Sequence, residues 1–186
     1  MLDLQPATTR MAALLGGVTD EQLAVQTPCP EYALGDLVHH VDGLSLAFTA
    51  AATKRFGPGG SQPPSVDAAR LSPDWRVRIP DQLSGLAAAW RDPEAWEGMT
   101  QAGGVDLPAP VAAAVALNEL TVHGWDISRA SGQPYDCDPA SVAACTQFLA
   151  QAGPRGDAFG PVVDVPANAS ALDRMIGLSG RDPFWR

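Results

Sequence analysis

Three histidines, His39, His40 and His123, are the side chains of this 186-residue sequence best suited to ligate a metal or move a proton. His39 and His40 are adjacent in a stretch of helical character. Successive helical side chains are about 100° apart, so the two rings face different ways. His40 shares its face with Ala33, Leu37, Leu44, Ala47 and Ala51, with Phe48 at the edge, and is expected to point inward. His39 shares its face with Gly35, Asp42, Leu46 and Thr53, a mixed set that points to the bundle margin or to solvent. Glu119 and His123 are four apart in a second helical stretch and stand one turn above each other. Their face also holds Ala112, Ala116, Ile127 and Ala130, with Asp126 near its edge. A carboxylate thus lies on a core-like stripe, where an unpaired charge is very unfavourable.

Two readings of these residues stand side by side. In one, His40 is a hydrogen-bonded core histidine and Glu119 and His123 are an ordinary helix pair, worth roughly a few tenths of a kcal/mol. In the other, a divalent ion compensates all three. Two imidazoles and one carboxylate leave coordination positions open, as catalytic zinc does, and also match a two-histidine, one-carboxylate iron site. Asp126, three residues after His123, is either an outer acceptor for that ring or a surface residue near the helix end. Asp126 and His39 are the candidate proton acceptors, with His39 equally readable as a surface side chain. Arg129 either holds an anion or is a charge favoured near a helix C-terminus. Cys29, between Pro28 and Pro30, is a soft ligand, a redox site or a buried inert thiol. Cys137 and Cys145 suggest no joint role. The tryptophans (Trp75, Trp90, Trp96, Trp125 and Trp185) line a pocket or an interface, or belong to the core.

The elements that must position these residues are helical. Helices are expected from about Leu4 to Leu15, stopped by Gly16-Gly17, and from Leu34 to Phe56, ended by Gly57-Pro-Gly-Gly60. A short turn with a near-capping pattern starts at Thr19, and residues 61–65 read as a Pro-rich loop. A third helix runs from Pro73 to Trp90, broken or kinked by Pro80. Residues 94–107 read as a short hairpin or an extended crossover. Pro108 to Ala130 is a strong helix with Gly132 as its stop. Another runs from Pro139, capped by Asp138, to about Ala152. A loop spans Gly153 to Pro166, and a last helix, capped by Asn168 or Ser170, ends near Leu178. The expected fold is all-α: a four-helix bundle with extra short helices and a small hairpin, as a single domain over 1–186.

Composition narrows the function classes. Hydrophobic residues make up 46 % and charged residues 18 %, so a packed core is expected. With 12 basic and 21 acidic residues the net charge is −9, which disfavours nucleic acid and anionic membrane surfaces as partners. The apolar run Val111–Leu117 falls far short of the roughly 18 residues of a membrane helix. Three cysteines cannot all pair, none is in a CxxC spacing, and the start MLDLQPATTRM carries no secretory pattern; a reduced, cytoplasmic protein is expected.

Three segments carry a family resemblance. Thr27-Pro-Cys-Pro-Glu-Tyr32 followed by Leu34-Gly-Asp-Leu-Val-His-His40 resembles the lead-in to the metal helix of the DinB-like superfamily. More narrowly, it is similar to the metal-binding domain of mycothiol-dependent maleylpyruvate isomerase and its relatives. Asn118-Glu-Leu-Thr-Val-His-Gly-Trp-Asp126 resembles that family's second ligand helix, and Asp173 to Trp185 resembles the tail of a short actinobacterial metal-binding subfamily. The resemblance implies a DinB-like four-helix bundle with His40, Glu119 and His123 as metal ligands. It implies a divalent transition metal, zinc first with nickel or iron as alternatives. It also implies a low-molecular-weight thiol such as mycothiol acting on an electrophilic substrate, as an S-transferase or isomerase, with pairing into a homodimer open. The isomerase carries a second, C-terminal domain, and 186 residues leave room for the bundle and a short tail, so maleylpyruvate itself is not the expected substrate. The alternative is a non-catalytic metal-binding or sensing module.

Overall fold

α1 (Gln5–Gly16) opens with a proline in its first turn, where the missing N–H has no helical partner to lose. It buries Ala7, Met11, Leu14 and Leu15 at helical spacing. The protein is described by a computed structural model over residues 1–30, 32–57, 61–63, 66–151 and 160–186. Glu31 of the lead-in motif, residues 58–60 of the expected helix stop, 64–65 of the Pro-rich loop and 152–159 around the expected end of the fifth helix lie outside the described residues.

α2 (Leu34–Thr53) begins where the Asp36 carboxylate accepts the Ala33 backbone N–H at 3.1 Å. It ends earlier than the expected Phe56. Lys54 adopts the left-handed conformation (φ 55°), which a right-handed helix cannot pass, and its ammonium donates to the Glu94 carbonyl at 2.7 Å. α3 (Trp75–Ala89) is continuous through Pro80, so the expected break does not occur. The proline removes one hydrogen bond, and buried Trp75, Ile79, Leu83 and Leu86 on both sides of it hold the helix to the bundle.

β1 (Met99–Ala102) and β2 (Val105–Pro108) form the anticipated hairpin, pairing Thr100 with Leu107 and Ala102 with Val105. Gly103 and Gly104 both have positive φ (59° and 80°), as a tight two-residue hairpin turn requires. Thr100 is buried and its hydroxyl donates to the Ala51 carbonyl at 2.6 Å, so the hairpin docks on α2. α4 (Ala109–Ser131) follows, and Gly132 in the left-handed region (φ 70°) stops it. α5 (Pro139–Gln151) is capped by Asp138, whose carboxylate accepts the Ser141 N–H at 2.8 Å. α6 (Ala171–Leu178) is capped by Ser170 rather than Asn168: Ser170 Oγ accepts the Asp173 N–H at 3.0 Å.

α1 and α2 each pack against both α3 and α4, which closes a four-helix ring; α5 lies on α4, and α6 lies on α5. The interior is filled by Met11, Leu15, Leu37, Leu44, Leu83, Leu86, Leu117 and Leu120. Arg78 grips the buried Asp42 with two hydrogen bonds of 2.7 and 2.8 Å, tying α3 to α2. Trp75, Trp90 and Trp125 are buried core residues. Trp90 donates its indole N–H to the Phe48 carbonyl at 3.1 Å and meets Trp96 edge-on at 5.4 Å. Among the described residues no helix is long and apolar enough to cross a membrane.

Trp90→Ala is expected to lower the unfolding free energy by about 3–5 kcal/mol, since a large buried side chain leaves a cavity that the bundle fills only in part. Urea denaturation checks this, and a loss near zero would contradict the packing described.

Candidate metal centre

α2 and α4 are neighbours in the ring, and their facing stripes bring the three expected side chains together. His40 Nε2 and His123 Nε2 each lie 3.2 Å from the same atom, Glu119 Oε2. The imidazoles stand edge to face, with ring centroids 5.0 Å apart. One ligand atom from each of the three residues lies within 4.8 Å of the others, which is the compactness a single ion needs. Cys29 is not part of this group. The site is sunk but reached by solvent: the side chains of His40, Glu119 and His123 are 15 %, 26 % and 10 % exposed. Ala112, Ala116 and Ile127, on the same α4 stripe, are fully buried, as the helical period requires.

An ionised carboxylate only accepts hydrogen bonds, so in the metal-free protein each Nε2 must carry a proton towards Glu119. His40 Nδ1 is buried without a hydrogen-bond partner. Three Lewis-basic atoms converging on one point are held together either by such shared protons or by a cation. The donor set of two imidazoles and one carboxylate suits a divalent transition metal.

His123 is also held from behind. Its Nδ1–H donates to Asp126 Oδ2 at 3.0 Å, and Asp126 is 0 % exposed. Asp126 is therefore a buried acceptor for the His123 ring and not a surface residue. It accepts two further hydrogen bonds, from Arg181 Nε at 3.2 Å and Arg181 Nη2 at 3.3 Å. Nothing in the sequence reading gave Arg181 a role. Its local signals are Gly180 before it, just past the end of a helix, and its place in the Asp173–Trp185 segment whose resemblance is to a metal-binding subfamily. Tyr32 completes the surroundings, its ring lying over His40 with centroids 6.5 Å apart.

The remaining candidates fall elsewhere. His39 is half-buried at the margin, and its Nδ1 accepts the Asp67 backbone N–H at 3.2 Å, which ties α2 to the loop before α3. Arg129 donates to the Trp185 carbonyl at 2.7 Å and lies over the Trp125 ring. It anchors the C-terminal tail. No disulfide forms among Cys29, Cys137 and Cys145, and burial pushes the Cys145 thiol up to about 12.

A helical bundle whose facing helices present two histidines and a glutamate to one point defines the class: a DinB-like helical bundle. A family model described as the mycothiol maleylpyruvate isomerase N-terminal domain matches residues 4–128, and the chain belongs to that family. Two uncharacterized proteins of Mycobacterium tuberculosis, from strains CDC 1551 / Oshkosh and H37Rv, are each 26 % identical over 182 residues, covering 95 % of this chain and 94 % of theirs. The crystal structures of the mycothiol-dependent maleylpyruvate isomerase and of a histidine-to-alanine mutant of it share the fold, with a TM-score of 0.61 at 18 % identity over 79 % of this chain. The chain spans 66 % of the length of that isomerase. The matched family segment contains His40, Glu119, His123 and Asp126 and stops short of α5, α6 and Arg181.

The charges of the site set a pH dependence for the metal-free protein. Burial raises the Glu119 pKa, but the His123 and His40 hydrogen bonds outweigh it and hold the carboxyl well below its ordinary 4.5. Burial lowers the His123 pKa, but the Asp126 and Glu119 hydrogen bonds outweigh it and push the ring up from 6.5 to about 9. A depressed carboxyl gives stability that is present above its unfolded pKa and lost as pH falls. A raised imidazole gives stability that is present below its unfolded pKa and lost as pH rises through the folded one. Chelator-treated protein is therefore expected to lose stability between pH 6.5 and about 9, the window set by His123. Denaturation midpoints across that window check it, and His123→Gln should flatten the slope.

Proposed function

We propose that this protein binds one divalent transition metal through His40 Nε2, Glu119 Oε2 and His123 Nε2. We further propose that it catalyses a low-molecular-weight-thiol-dependent S-transfer or isomerisation, with mycothiol or a similar thiol as cosubstrate and an electrophilic small molecule as substrate. The convergence of the three ligand atoms within 4.8 Å carries the reading. Membership of a family described by mycothiol and maleylpyruvate isomerisation supports the thiol and the reaction class. The match to the solved isomerase is one of fold, so the choice of electrophile does not transfer with it.

A metal bound there would act as a Lewis acid, lowering the pKa of a thiol so that it reacts as the thiolate. The chain's own residues prepare the place. Asp126 accepts the hydrogen bond of the His123 Nδ1–H, which fixes the tautomer and leaves Nε2 as the ligating nitrogen. Glu119 contributes the negative charge that offsets a divalent cation. α2, packed on α4, brings His40 opposite. The Tyr32 ring lies over the His40 ring, with centroids 6.5 Å apart.

Elemental analysis of protein purified without chelators tests the metal. About one equivalent is expected per chain, abolished in His40→Ala and His123→Ala and nearly unchanged in His39→Ala, because His39 lies outside the cluster. Equal loss in His39→Ala and His123→Ala would contradict the assignment of faces. Loss of free mycothiol with an electrophilic aryl halide, halide being released, then tests S-transfer; isomerisation of an unsaturated dicarbonyl acid, which returns the thiol unchanged, is read from the acid's own absorbance with and without mycothiol. Metal with neither thiol consumption nor isomerisation would favour the non-catalytic metal-binding module.

A further inference from the structure

α6 ends in a turn whose geometry sets the direction of the tail. The Gly180 N–H donates to the Gly177 carbonyl at 3.1 Å, and the Arg181 N–H donates to the Ile176 carbonyl at 3.3 Å. That pair of bonds, with Gly180 in the left-handed region at φ 84°, is a complete Schellman motif. Gly180 is also packed against backbone: a Cβ there would lie 2.9 Å from the Gly160 main chain. The turn leaves the Arg181 side chain directed at α4. There it is 12 % exposed, and both of its hydrogen bonds to Asp126 span 55 residues of sequence. A second tie, Arg129 to the Trp185 carbonyl, holds the chain beyond it.

The two-point contact is what makes the arrangement specific. One hydrogen bond would leave a carboxylate free to turn about its Cβ–Cγ bond. Nε on Oδ1 and Nη2 on Oδ2 fix both oxygens and hence the plane of the group. Oδ2 is also the oxygen that receives the His123 Nδ1–H. The guanidinium in addition supplies the positive charge that a fully buried carboxylate beside a carboxylate–imidazole cluster lacks.

We propose that Arg181 is a positioning residue of the metal centre: it fixes the Asp126 carboxylate, and through it the orientation of the His123 ring. The C-terminal tail thereby supplies a side chain to a site whose ligands all come from α2 and α4. The inference rests on the metal-binding reading for its consequence, though the Arg181–Asp126–His123 chain exists without the ion. Arg181 hydrogen-bonds to none of the three ligand atoms; its charge also reaches Glu119 through space, but its positioning effect passes through Asp126.

The test uses the full chain with Arg181→Met, and with Arg181→Lys as the variant that keeps the charge and loses the fork. Arg129→Met serves as the control, since it loosens the tail and spares the fork. In the metal-free protein the His123 Nδ1–H signal is followed by NMR. Its exchange with water should accelerate at least about ten-fold in both Arg181 variants and stay near the wild-type rate in Arg129→Met. Zn(II) affinity is then read by chelator competition. It should fall about ten- to hundred-fold in Arg181→Met, the usual consequence of removing an outer-shell partner. In an Asp126→Asn background the same substitution should change it little further. An unchanged Nδ1–H in the Arg181 variants, or an equal loss of affinity with and without Asp126, would overturn the proposal. A wild-type chain that takes up no Zn(II) but shows the Nδ1–H effect would defeat the metal-binding reading and leave the positioning role standing.

Discussion

Glu119 Oε2 has an imidazole nitrogen 3.2 Å away on each of two sides, and the rest of the site follows from that crowding. A carboxylate on the inner stripe of α4 is tolerable only if charge and hydrogen bonds are brought to it. His123 is brought by the helix itself, one turn on. His40 is brought by α2, which packs on α4. Ala112 and Ala116, on the same stripe of α4 before Glu119, are fully buried. The ring of four helices is thus the frame of one polar contact as much as of an apolar core.

Behind the ligands the polar chain continues. His123 leans on Asp126, Asp126 on Arg181, and Arg181 on a helix end whose glycine permits a single direction of exit. Each link compensates the one before it: the imidazole is oriented by a carboxylate, the carboxylate is balanced by a guanidinium, and the guanidinium is placed by the backbone. A buried aspartate three residues after a histidine would otherwise be an uncompensated charge. Arg129 and Trp185 hold the outer end of the same tail, so the last residues of the chain are bound twice to α4.

Much of the site could be read from helical period alone. Glu119 and His123 at i, i+4, and His40 rather than His39 on the apolar face, follow from about 100° per residue. The hairpin was anticipated from a Gly-rich interruption, and the Gly103-Gly104 pair is what the turn needs. The misreadings have local causes. Pro80 marks a break in a sequence, yet a single lost hydrogen bond is outweighed when the helix buries tryptophan, isoleucine and leucines on both sides of it. Lys54 ends α2 by a left-handed conformation that its residue type does not announce. Arg181 escaped because its partner lies 55 residues away and the two meet only once α5 lies on α4 and α6 on α5. Periodicity reports which face a residue occupies, and it is silent on contacts between the end of the chain and the middle.

The central claim is that His40, Glu119 and His123 share one metal ion. X-ray absorption at the metal edge of the natively purified protein tests it most directly. The account predicts a single site whose inner shell contains two imidazole nitrogens and light oxygen donors, with the imidazole signal reduced in His40→Ala. A shell containing sulfur, which would implicate Cys29, or a spectrum that His40→Ala leaves unchanged, would contradict it.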